Sequence, residues 1–446
     1  MFAVHGRGAG SGILVVCALS ACGDNLPGAP HASFDAARDD DVPPEGPFTW
    51  AGGVIGGGAA DEVLDLELVR ETLYVAGYRD GIVGVTNLEP SGDAEGFLLA
   101  LAPDGSERWT RMFDTDGAET VDAIHVGATD LVLVGRTSGA FPGFTNNGQV
   151  DAFVVRAQLD AASTPTLVQF GDARPQHMVA IARETSGVVH VAGYDDAFVE
   201  NQAVTAFENP IATHLSPSLA VVSYRRDDRS ASSDWHYALV PAGSPGEIIV
   251  GGGLFAGAGR GPFVRRYAAD GAEVWNLQLG VSGSDTVTAL RMHADGKLYV
   301  AGSTFEQIGD RSYGDQDLFV AVVDPATGVV ERAMQAGSSS SDYPRDLVIA
   351  PDGTIFVVGE TLGSLPGATL AGDYDLAIVR FATDGTWTGS WQRGTGDDET
   401  INAATLAPDA LYIAGRQLAS NVPGHPSAGG RDGFVLRVPF GDLVEP

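Results

Sequence analysis

The sequence predicts an all-β protein made of seven repeats, on three observations. An apolar phrase ending in Gly recurs along the chain as TLYVAG (72–77), KLYVAG (297–302), TIFVVG (354–359) and ALYIAG (410–415). Counting its looser copies, the glycines are Gly77, Gly135, Gly193, Gly252, Gly302, Gly359 and Gly415, spaced 58, 58, 59, 50, 57 and 56 residues apart. The segments between them are short runs rich in β-branched and aromatic residues, bounded by Gly, Asp and Pro, with no long helical period. A period held over this length marks a repeat architecture.

Each repeat has the same order of parts. An alternating apolar stretch comes first, such as TVTALRMHA (286–294) or RDLVIAPDG (345–353). A turn follows, often Asp-Gly as at Asp295-Gly296 and Asp352-Gly353, suited to the positive φ of a two-residue hairpin. The phrase ending in Gly is the second strand, and its Gly is expected to end the strand or admit a neighbouring blade's backbone. A third strand is read at 97–105, 151–159, 317–325, 375–383 and 432–440. The fourth often carries Trp: ERWTRMF (107–113), EVWNLQLG (273–280), GSWQRG (389–394). Four antiparallel strands make a twisted sheet with two faces to bury, and seven such sheets around an axis bury them as a seven-bladed β-propeller.

Two repeats depart from the pattern. The third has a long loop at 195–218 and, with its third strand read at LAVVSYRR (219–226), little room for a fourth. The fourth has a short loop, LFAGAGRG (254–261). The last repeat ends one strand short after 433–440, while FTWAGG (48–53) precedes the first and resembles a Trp segment. The N-terminal strand is therefore expected to complete the last blade, which removes two free edges and puts the preceding chain at the outer rim.

The N-terminus reads as an address. Residues 13–21 form an apolar run too short to span a bilayer, with the layout of a secretory signal. Its end, Leu19-Ser20-Ala21-Cys22, resembles the bacterial lipobox, in which the signal is cut before a Cys that takes acyl chains. That resemblance implies a signal peptide at 1–21, lipid attachment at Cys22 and a place in the bacterial cell envelope, on the outer-membrane or the cell-surface or periplasmic face. Cys17 leaves with the signal, so a Cys17–Cys22 disulfide is not expected. Residues 22–47 are polar, acidic and Pro-rich, the composition of a tether with a reach of about 25–30 Å. The propeller is expected over 48–446.

Composition excludes several function classes. With 58 acidic and 26 basic residues the formal charge is −32, a field that repels nucleic acid and anionic headgroups. The one lysine, Lys297, sits beside a turn, and no P-loop is present. Carboxylates open the third strand at Glu95, Asp151, Asp317, Asp375 and Asp432, with Ser218 and Gly261 near that place in repeats three and four. They suit either a ring of cation ligands or, more simply, acceptors for backbone N–H groups at a strand entry. DRSYGDQD (310–317) and DTDG (114–117) have the oxygens a Ca²⁺ loop wants but not its full pattern. His125, His177 and His190 fall in or beside strands, without a zinc-binding spacing. Asp397 and Asp398 adjoin each other, which says nothing of the separation a glycosidase needs. Trp50, Trp109, Trp275 and Trp391 recur at one place in the repeat, as packing between blades or as sugar platforms. No catalytic residue, metal ligand or cofactor is assigned.

The second repeat, LVLVGRTSGAFPG (131–143), resembles the β-propeller repeat of secreted bacterial proteins known as SBBP. The matching elements are Gly135, Thr137, Ser138, Phe141-Pro142 and Asp151-Ala152-Phe153, with the Ser one place early; Leu365-Pro366-Gly367 and Val422-Pro423-Gly424 keep a related phrase. The resemblance covers about 48–440 and implies an exported propeller with no catalytic residues to carry over. The expected function is a membrane-anchored binding or scaffolding module for an unidentified protein or glycan, held by membrane lipid through the acylated Cys. The alternative is a polysaccharide-active hydrolase or lyase on the same scaffold.

Overall fold

A computed structural model describes residues 50–446, apart from 56–59, 84–89, 92–93, 196–208, 227–233, 255–260, 281–284 and 418–430, together with Ala32–Ser33. Cys22, the signal and nearly all of the tether lie outside the described residues. Six sheets of four consecutive antiparallel strands, in the order first to fourth, follow one another along the chain, and a seventh takes three consecutive strands and a fourth from before the first blade. The fold is a seven-bladed β-propeller. The first strands, innermost, are Ala60–Val69, Glu119–Val126, Gln176–Arg183, Asp234–Pro241, Thr286–Met292, Asp342–Ile349 and Glu399–Ala407. The apolar core lies between blades; Phe263, Tyr267, Phe319, Phe356 and Tyr412 are almost wholly buried there.

The ring closes as the alternating pattern requires. Gly52–Ile55 pairs antiparallel with Asp432–Pro439, Gly52 opposite Leu436 and Ile55 opposite Gly433, as the fourth strand of blade seven. Trp50 lies just before this strand, and its N–H donates to the Pro103 carbonyl of blade one. Its indole fills the space beside Gly105, where a Cβ would come within 2.3 Å of the ring. Trp275 of blade four seats in the same way on Gly328 of blade five and donates its indole N–H to Pro325. Trp50 and Trp275 therefore lock the outer strands of blades seven and four onto the next blade. Trp391 is two residues out of step with them: it faces Ile378, whereas Gly389 faces Arg380 where Trp275 faces Arg266.

The recurrent Gly has a different cause from the one expected. It sits mid-strand, and the backbone that approaches it belongs to its own blade. Every first strand carries a bulge, whose unpaired residue is Leu64, Asp122, Val179, Tyr237, Thr288, Arg345 or Asn402. The bulge swings a carbonyl over the second strand. A Cβ at Gly77 would lie 2.0 Å from the Glu62 carbonyl oxygen, at Gly302 2.1 Å from that of Thr286, and at Gly359 2.0 Å from that of Tyr343. No side chain fits there.

Two further expectations are corrected. The Asp-Gly turns are one residue longer than a two-residue hairpin. In His293–Lys297, Gly296 donates to His293, His293 donates to Lys297, and Gly296 takes φ 79° while the Asp295 carboxylate accepts the Lys297 N–H. Blade three has all four strands: its third is Asn209–Leu215, inside the stretch taken as loop, and Val221–Arg226 is its fourth. Asn209 stands where blades two, five, six and seven have Asp, and Pro210 faces Tyr194 in register. The outer-rim course of the preceding chain holds at Trp50, but Ala32–Ser33 pairs in parallel with Ala180–Ile181 on the innermost strand of blade three.

Two outcomes follow from this packing. Gly302→Ala should cost about 3 kcal/mol or more in urea unfolding, whereas Gly396→Ala, whose Cβ meets nothing within 4 Å, should change little; equal effects would remove the bulge as the cause. Deleting 50–55 should lower the melting temperature by roughly 10 °C or cause aggregation, and an unchanged transition would refute closure through this strand.

Candidate functional site

In these blades the first and third strands begin at one end of the propeller, the loop face, where the second and fourth end. The acids that open the third strands lie there in five of the seven blades, and Asp151, Asp317 and Asp375 each clamp their own loop. Asp317 accepts the Tyr313 and Gly314 N–H groups at 2.7 and 2.9 Å and the Gln335 amide at 2.7 Å. Asp375 accepts Ala371 and Gly372 N–H and the Gln392 amide. Asp151 accepts Asn147 N–H and the Gln169 amide. Those glutamines, unremarked in the sequence, stand near the ends of fourth strands; their oxygens accept N–H groups of Phe141, Ile308 and Leu365. Asp432 is fully buried, and Glu95, half-exposed, pairs with Arg79. For Asp151, Asp317 and Asp375 the acceptor reading is the observed one.

The two stretches that suggested Ca²⁺ resolve similarly. In 114–117, Thr115 donates its N–H and hydroxyl to Glu119 at 2.9 and 2.5 Å. In 310–317 the acceptor is Asp317. Among the described residues no group of three or more His, Cys, Asp or Glu is placed to hold a metal ion.

Beneath the loop face the bulges bring together charges that the sequence reading missed. Arg345, a bulge residue of blade six, donates to Glu360 on the next strand at 2.9 Å. Arg416 of blade seven reaches Glu62 of blade one at 3.2 Å. Glu62 also accepts the Tyr78 hydroxyl at 2.9 Å and the amide of Asn402, a bulge residue of blade seven, at 2.8 Å. Burial pushes Glu360 up to about 7 against the pull of Arg345. Burial also acts on Glu62, but Arg416 and the donors around it outweigh that and hold its carboxyl below the usual range. The signal was present in the repeats: Tyr78, Arg136, Glu360 and Arg416 each follow the recurrent Gly, so they meet the bulges. Arg136 does so in blade two, 2.8 Å from His177 Nδ1 and 3.5 Å from Asp122.

Above this layer, on blade six, lie Tyr343 and Tyr374, with ring centroids 5.9 Å apart and ring planes tilted by 47°. Asp398 is beside them, half-buried, its pKa raised by burial and by the nearby Asp373; Asp373 and Asp397 are exposed. Two tyrosines edged by carboxylates make an open polar surface suited to hydroxyl-rich or cationic ligands. The cleft between blades five and six, lined by Asp342, Tyr343, Gly359 and Glu360, has room only for water.

At the opposite face, His190 Nε2 lies 2.8 Å from Glu184, and its Nδ1 3.2 Å from Nδ1 of His214. Glu184 also accepts the Gly246 N–H from blade four at 2.6 Å. Burial raises the Glu184 pKa, but the bonds from His190, Gly246 and Ser186 outweigh it and bring it down to about 2. Burial, then His190, bring His214 down to about 4. His125 and His177 lie in first strands, as read.

With this geometry set out, known proteins can be compared. A family model described as a domain of unknown function (DUF5122) beta-propeller matches residues 350–386. The chain is a β-propeller protein. The matched stretch runs from one Asp-Gly turn of blade six, at Gly353, to the next, at Gly385. No curated protein matches the chain. Among solved structures the WD40 β-propeller domain of Doa1 is similar over 87% of this propeller's chain and 96% of its own, with 11% identity and a TM-score of 0.51. Sqt1 from Chaetomium thermophilum, bound to the N-terminus of ribosomal protein L10, is 11% identical over 87% and 100%, with a TM-score of 0.43. A puromycin hydrolase is 13% identical over 88% and 53%, with a TM-score of 0.46. At such identities the likeness is one of fold.

The buried acids make stability depend on pH. Burial brings Asp342 up to about 7 and Asp285 to about 6, alongside Glu360 at about 7. A raised carboxyl binds more protons folded than unfolded between about pH 4 and 7, so stability falls as pH rises through that window. Glu184 acts oppositely, losing its contribution only below about pH 4. Melting temperature should therefore be higher at pH 5 than at pH 8, with Glu360→Gln flattening part of the slope; a rise toward pH 8 would contradict the burial of these groups.

Proposed function

We propose that this propeller is an exported, lipid-anchored binding or scaffolding module that presents its loop face to a protein or glycan. The observation that carries the reading is the commitment of the loop-face acids. Asp151, Asp317 and Asp375 hold loop N–H groups, and Glu62 and Glu360 are buried against arginines. A hydrolase needs a carboxylate pair facing one cleft, and these are spent on architecture. The half-buried Tyr343, Tyr374 and Asp398 remain as the contact surface, with hydroxyl-rich glycans the ligand class that fits a pair of tilted aromatic rings beside carboxylates. Anchoring rests on Leu19-Ser20-Ala21-Cys22, and the SBBP-like phrase at 131–143 supports export.

Two experiments test this reading. Cys22→Ser should move the protein from the membrane fraction to the soluble one; retention with the signal still cleaved would refute the anchor. On a glycan array, wild type should retain a ligand that Tyr374→Ala and Asp398→Ala lose at unchanged melting temperature. Release of new reducing ends from a polysaccharide panel by wild type would favour the hydrolase instead.

A further inference from the structure

Each first strand has a neighbour within its blade on one side only, so seven backbone edges face the central channel. An unpaired edge is a template for another strand unless something covers it. In four blades side chains cover it. Asp65 of blade one accepts Ile124 N–H of blade two at 2.8 Å, and Glu67 accepts Val126 N–H at 2.5 Å. Asp346 of blade six accepts Ala404 N–H of blade seven at 3.0 Å. Asp65 and Asp346 also take the N–H groups of Leu66 and Leu347 in their own strands, and Thr405 takes that of Leu68.

The capping position is the residue after the bulge. Around the ring it reads Asp65, Ala123, Ala180, Ala238, Ala289, Asp346, Ala403. In blades three, four and five both the strand's own residue and that of the preceding blade are Ala. A methyl group accepts no hydrogen bond, and it leaves space. On this arc Ala32 lies opposite Ala180 and Ser33 opposite Ile181 as a parallel pair, and this short strand also lies near the first strands of blades one, two, four and five.

We propose that the inner edge of blade three is a strand-docking site inside the channel, and that its occupant is the chain's own segment around Ala32–Ser33. Recognition is through backbone hydrogen bonds, as in strand addition to an open sheet edge. The alanines at 180, 238 and 289 leave room for the close approach. The site is separate from the loop face, so failure of either reading leaves the other standing.

Amide hydrogen exchange on the full chain and on a variant lacking residues 30–36 tests the proposal. Deletion should speed exchange at Ala180–Ala182 at least tenfold, with exchange in the first strand of blade seven unchanged. A labelled peptide of residues 28–36 should bind the deletion variant and restore that protection, while full-length protein should not bind it. Ala180→Asp, which installs the cap used in blades one and six, should prevent peptide binding to the deletion variant. Unchanged exchange on deletion, or peptide binding equally to both forms, would overturn the proposal.

Discussion

A single close approach organises this propeller: a carbonyl of the innermost strand pressed against a glycine of the second. Six of the seven recurrent glycines have such an oxygen within about 2 Å of where a Cβ would stand. The bulge that produces it adds one residue to the inner strand, raises the local twist and leaves one residue per blade out of the ladder. That residue is Asp122 in blade two, Arg345 in blade six and Asn402 in blade seven, and each enters a buried polar contact. The glycine and the buried charge are thus two consequences of one distortion.

The architecture was legible in the sequence because it rests on local periodicity. Strand alternation and the spacing of seven glycines need no knowledge of tertiary contacts, and the missing fourth strand of the last repeat is a matter of counting. Closure at Gly52–Ile55 followed from that count. Blade three was misread because Asn209 and Pro210 replace the acid-led opening of the other third strands, so a real strand resembled a loop. The cause of the glycines was not legible, since a bulge leaves no mark in an alternating pattern one residue too long.

The candidate surface was less readable for a related reason. A repeated acid advertises itself, yet Asp151, Asp317 and Asp375 prove to hold backbone groups, a local task that each blade must solve alone. The Glu62–Arg416 and Glu360–Arg345 contacts come from residues that do not repeat. Arg416 and Glu62 lie 354 residues apart and only ring closure makes neighbours of them, whereas Arg345 and Glu360 meet across adjacent strands once the bulge turns Arg345 out of the ladder.

Their placement has a physical logic. Blades alike in length and pattern invite misassembly, because any sheet offers an apolar face to any other. A buried ion pair adds little net stability, yet a wrong neighbour leaves a charge without its partner in an apolar seam, at a cost of several kcal/mol. Arg416 to Glu62 and Asn402 to Glu62 both cross from blade seven to blade one, the seam where the two ends of the chain must meet. Asp346 ties blade six to blade seven and, through Arg291, to blade five. The Ala-lined arc of blades three to five carries no such carboxylate cap. Those sheets are joined in sequence and find each other by proximity, whereas the closing seam joins parts far apart in the chain. The Glu62 cluster thus stands where connectivity gives the least help, and the inner strands of blades three to five, without carboxylate caps, leave their arc of the channel open to a strand.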